Sequence, residues 1–165
     1  MSGPALVNLR TNLTDWSKDG LYPTTDQYMQ LIRRHLDDGI EIPFAAAFDL
    51  LTDHGAVAQL SHAQRAEVIN ICLKSCANEV QKGSFNPDPL LLADSLLHLP
   101  DDDSTTDSKV IAQLDLSKVR IATDSILTAA RDKAFDTKIG SEDIRRGWWY
   151  LGQRVIDLDA AIFDA

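Results

Sequence analysis

SHAQRAEVINICLKSCANEVQKG, residues 61–83, decides the fold class. Within it Val68, Ile69, Cys72, Leu73, Cys76 and Val80 recur at three- and four-residue steps, which lines them up on one side of an α-helix. Ser61 followed by Gln64 forms a capping-box pair, in which each side chain satisfies a backbone group left open by the first turn. The inward stripe runs until Gly83, which stops the helix. The segment therefore predicts a central helix with one buried face.

The same period runs outward in both directions. Upstream, Leu6, Leu9, Leu13 and Trp16 share a face after Pro4, and Tyr28, Leu31, Ile32 and Leu36 share one between a cap at Thr24 or Thr25 and a stop at Gly39. Pro43 opens a third helix, with Phe44, Ala47, Phe48 and Leu51 inward and Gly55 at its end. Downstream, Asp88 is placed to cap a short helix from Pro89, whose Leu90, Leu91, Leu92, Leu96, Leu97 and Leu99 occupy most of its circumference. Such a helix is either sandwiched inside the domain, the preferred reading, or covered by something else, and Pro100 ends it. Residues 101–107 carry no apolar side chain and read as an acidic surface loop. From Lys109 to Phe135 the stripe Val110, Ile111, Leu114, Val119, Ala122, Ile126, Ala129 and Ala130 predicts one helix bent near Asp115 to Ser117, in preference to two.

Ser141 caps the last helix, where Ile144, Trp148, Leu151, Val155, Leu158 and Ile162 form a four-three seam. No run alternates with the period of a strand, and no internal repeat occurs. The expectation is a single all-α domain over residues 1–165, a bundle of about six or seven helices with a Trp-rich C-terminal helix. A chain of 165 residues is long enough to build such a core without disulfides or a structural metal.

Sixteen Lys and Arg against 25 Asp and Glu leave a net charge of -9, which disfavours general binding to nucleic acid or to anionic membrane surfaces. It suits a protein partner with a basic surface. No stretch approaches the roughly 18 apolar residues of a membrane span. Cys72 and Cys76, four residues apart on one helical face, read as packed core thiols of a reducing, intracellular compartment. The first ten residues lack the basic and long apolar regions of a secretory signal, so a cytoplasmic location is expected.

Catalytic constellations are harder to assemble. His35, His54, His62 and His98 sit on different elements without metal-ligand spacing, no GxSxG nucleophile turn occurs, and Gly147 and Gly152 follow no strand that would make a phosphate cradle. No metal, cofactor or catalytic residue is predicted. Arg145-Arg146-Gly147-Trp148-Trp149-Tyr150 instead gathers residue types enriched in protein interfaces. Trp148 falls on the core seam, whereas Trp149 lies about 100° around the helix, in line with Ile156 and Phe163. That second face is either core or interface. Arg146, Trp149, Tyr150 and Arg154 are the candidate partner-binding residues.

Gly147 and Gly152 suggest a close helix approach or a bend, and Asp159, inside the apolar arc, requires a basic partner or an open terminal turn. The functional expectation is a noncatalytic protein-interaction module, an adaptor or inhibitor of a basic surface. A self-assembling subunit, whose leucine-rich helix and terminal apolar face are covered by identical copies, is the first alternative. An enzyme built from residues distant in sequence is the second.

Overall fold

The computed structural model describes Met29, Gln30, Arg33 and residues 60–98, 106–138 and 140–164. The predicted helix from Pro4, the one from Pro43, most of the helix between them, and Leu99 to Thr105 lie outside the described residues. Among the described residues the structure is helical and contains no strand. Five helices have full bounds: α1 (His62–Gln81), α2 (Asp88–His98), α3 (Thr106–Gln113), α4 (Leu116–Ala134) and α5 (Glu142–Phe163).

The central helix α1 packs against α2, α3 and α4, while α5 packs mainly along α4. Its ends form as predicted. The Ser61 hydroxyl accepts from the Gln64 N–H at 3.1 Å, and the Gln64 side chain accepts from the Ser61 N–H at 2.9 Å. At the other end Gly83 adopts φ +85°, so its N–H reaches the Val80 carbonyl and the Ser84 N–H the Glu79 carbonyl, both at 3.0 Å. Val68, Ile69, Cys72, Leu73, Cys76 and Val80 are all buried, and each aliphatic side chain so buried contributes about 1.5–3 kcal/mol of transfer free energy. Arg65 is buried on the same stripe at 1% exposure, which the periodicity alone does not single out. Arg33 chelates Glu67 through Nε and Nη2, the latter at 2.7 Å, and ties the upstream helical segment to α1.

Helix α2 is sandwiched, with Leu90, Leu92, Leu96 and Leu97 at or below 3% exposure. Its start differs from the expectation at Asp88. The Pro87 carbonyl accepts the first helical bond from Leu91, and Asp88 already lies in the first turn with its N–H donating to Asn86 Oδ1. Thr106 and Asp107 likewise belong to α3 and not to the acidic loop.

The predicted bent helix is in fact two. After Gln113 the chain breaks at Leu114–Asp115, and Asp115 caps α4 by accepting from the Lys118 N–H and the Ser117 hydroxyl. The break is held from α1: Asn70 accepts from the Asp115 N–H at 3.0 Å and donates to its carbonyl at 3.3 Å. An amide placed 45 positions away by tertiary structure replaces the helical bonds that a bend would have kept.

Candidate functional site

Ser141 accepts from the Ile144 N–H at 3.2 Å and starts α5, whose first turn carries Glu142 and Asp143 where a helix amino terminus favours anions. The inward seam begins one turn later than predicted. Trp148, Leu151, Val155, Leu158 and Ile162 are buried, but Ile144 is half exposed because it precedes the stretch laid along α4. Trp148 meets the edge of Phe85 at 5.0 Å and 75°, with Lys133 Nζ 5.3 Å from its ring centre.

One residue on, Trp149 leaves the core and is 44% exposed. Its ring makes an edge contact with Tyr150 at 5.2 Å, and Tyr150 is 57% exposed. The two predicted aromatics are thus brought together. The two predicted arginines are not part of that pair: Arg146 turns back to Glu142 at 3.1 Å, and Arg154 approaches Asp94 on α2 at 3.7 Å.

Trp149 forms one edge of a hollow of about 220 Å³ between α4 and α5, with Leu127, Arg131, Phe135, Gly152 and Ile156 around it. Leu127 and Ile156 also line a second hollow of about 200 Å³, which Arg120, Asp124, Asp159 and Phe163 complete. The two hollows follow one another along the α4–α5 groove, sharing Leu127 and Ile156, and Trp149, Ile156 and Phe163 recur there every seventh residue over about 21 Å of helix. The second apolar face of α5 is therefore neither wholly core nor wholly free. Phe163 packs against the core under the Arg120 guanidinium, 3.8 Å above its ring, while the Trp149 end is open. On α4 the opposing wall ends at Phe135, 74% exposed, which the sequence reading had placed only as the end of a helix.

Charge is distributed unevenly along this groove. Arg131 lines the Trp149 end, and Asp124 and Asp164 line the Phe163 end; among the described residues none of the three has an ion-pair partner. Asp159 finds the partner it required: Arg120 Nη1 lies 3.0 Å from one oxygen, and the buried Thr123 hydroxyl donates to the other at 3.1 Å. Gly152 sits where α5 crosses α4, but a Cβ there would meet Leu127 and Ala130 at 3.7 and 3.8 Å, ordinary contact distances. The helices are close without excluding a methyl group.

A larger hollow of about 420 Å³ lies between α1 and α4, with Ile71, Ala77, Ile121 and Ala122 as its apolar lining and Lys74 and Lys118 among its polar residues. It contains no aromatic side chain. Cys72 and Cys76 are buried free thiols, the latter donating to the Asn86 carbonyl at 3.8 Å. Burial pushes Cys76 up to about 12 and Cys72 further, so neither is a nucleophile at neutral pH. Among the described residues no three His, Cys, Asp or Glu side chains gather to hold a metal ion, and no helix is long and apolar enough to cross a membrane. No protein family, curated protein or solved structure matches this chain.

Proposed function

We propose that the chain is a noncatalytic protein-interaction module, a bundle of about six or seven helices whose α4–α5 groove receives a helix of its partner. One observation carries this reading. Trp149, Ile156 and Phe163 present a seven-residue apolar repeat to a groove whose other wall is Leu127 and Phe135, the pattern into which an amphipathic helix inserts its own apolar stripe. Exposed Trp149 and Tyr150 at the mouth are residue types that dominate interface energetics.

Whole-chain acidity favours a basic partner, whose cations would face Asp124 and Asp164, with an acidic residue opposite Arg131. An adaptor or inhibitor acts by this kind of occupancy, without bond-making steps.

The test is photo-crosslinking in cells from a benzoylphenylalanine placed at Gln153, on the groove rim, and in parallel at Lys74, in the α1–α4 hollow. The expected result is a protein adduct from position 153 that Trp149→Ala removes while the circular dichroism of the variant stays unchanged. Equal adducts from both positions, or a yield indifferent to Trp149→Ala, would overturn the reading.

A further inference from the structure

We infer that the helix received by the groove is α4 of a second copy of this chain, packed antiparallel across a two-fold axis that passes between Leu127 and Thr128. The inference rests on the reading of the groove as a helix-binding site and names its occupant. Asp124, Leu127 and Arg131 of α4 and its C-capping residue Phe135 fall on one row, spaced three or four residues apart, and all four line the groove. A two-fold contact is self-complementary, so whatever residue of one copy meets a given residue of the other, the reciprocal contact also forms.

The stated axis places Asp124 of each copy opposite Arg131 of the other. These are a groove anion and a groove cation without ion-pair partners among the described residues, and both exist twice in the assembly. The same register carries Phe135, the most exposed large apolar side chain described, to the level of Arg120 on the other copy. There the hollow of about 200 Å³ beside Ile156 and Phe163 has room for a benzyl group. One displacement along the helix thus satisfies both charges and covers the exposed phenylalanine. A foreign helix would need to reproduce that arrangement, whereas a second copy has it by construction. The net charge of -9 on each copy opposes association in general, which puts the weight on this one face where the signs alternate.

The test uses the full chain in sedimentation equilibrium with the substitutions Asp124→Arg and Arg131→Asp. Wild type should form a dimer, and each variant alone, with two like-charge contacts per dimer, should dissociate at about tenfold higher concentration or more. Mixing the two variants should restore the dimer as a one-to-one heterodimer, because every crossed contact is then opposite in sign; a misfolded variant could not be rescued in this way. Phe135→Ser should weaken the wild-type dimer without changing helicity. A wild-type chain that stays monomeric up to its solubility limit would overturn the inference, as would a mixture no more associated than its components. If that happens while the adduct from position 153 to a different protein persists, the occupant is wrong and the groove reading stands; if the adduct is also absent, both fall.

Discussion

One substitution, glycine to alanine, should have opposite signs at Gly152 and Gly83. At Gly152 the new Cβ would lie 3.7 Å from Leu127 Cδ1 and 3.8 Å from Ala130 Cβ, so it gains ordinary contact and forces nothing aside. Alanine is also about 1 kcal/mol more favourable than glycine within a helix, because the unfolded chain loses less freedom on ordering. The expected outcome is stabilisation by about 1 kcal/mol, a rise in unfolding midpoint of about 2–4 °C for a chain of this size. Gly83 also has room for a Cβ, whose nearest neighbour would be the side-chain end Lys133 Nζ at 3.5 Å, but its φ of +85° costs an L-residue roughly 1–2 kcal/mol. Gly83→Ala should therefore lower stability by that amount. Urea unfolding followed by circular dichroism reads both, with the denaturant slope unchanged in each case. Destabilisation by Gly152→Ala would refute the argument, since it would mean that α4 and α5 approach more closely than the side-chain distances require.

Ile126, fully buried between the helices, should cost about 2–5 kcal/mol when truncated to alanine and only about 0.5–1.5 when trimmed to valine, measured by the same unfolding curves. Thr123→Val and Asp159→Ala should be non-additive by about 1 kcal/mol in a double-mutant cycle, because each removes the 3.1 Å bond between them; full additivity would deny that the bond contributes. The hydrogen bonds from Arg33 hold Glu67 below its ordinary value of 4.5 despite partial burial, so this pair adds stability above that pH and loses it as pH falls through the lower folded value. Glu67→Gln should flatten that acid limb by about 0.5 kcal/mol, the size of a partly solvated pair, and leave the alkaline side unchanged. Cys72 and Cys76 should resist a water-soluble disulfide reagent in the native chain and react only at the rate of unfolding; rapid labelling at neutral pH would contradict their burial.

What the sequence made legible was local. The Ser61 and Gln64 box, the stop at Gly83 and the Ser141 cap depend on residues within four positions of one another, and each forms as read. The stripes of α1, α2 and α5 were also readable, since burial on one side of a helix imposes its period on the chain. Asp159 announced a need for a partner, but that Arg120 and Thr123 would meet it depends on the register of α4 against α5. The candidate site was half visible for the same reason. Trp149, Ile156 and Phe163 could be aligned on a wheel, whereas the facing row Leu127, Arg131 and Phe135 reads as a solvated helix side until α5 is laid beside it.

The broken helix explains why that groove exists. A continuous helix from Thr106 to Ala134 would be a rod of about 43 Å, able to follow either α1 and α2 or α5 but not to change direction between them. With the break at Asp115, α3 packs on α1 and α2 while α4 runs along α1 on one side and α5 on the other. The apolar period registers the break, because Leu114 and Val119 are both buried although five residues would set them about 140° apart on one continuous helix. The break is stable because Asn70 supplies both a donor and an acceptor to Asp115, satisfying backbone groups that a severed helix would otherwise leave open. A polar residue on α1 thereby sets the direction of α4, and the direction of α4 decides which of its rows faces α5. Asn70 lies in neither wall of the α4–α5 groove, yet the juxtaposition of Leu127, Arg131 and Phe135 with Trp149 and Ile156 depends on it.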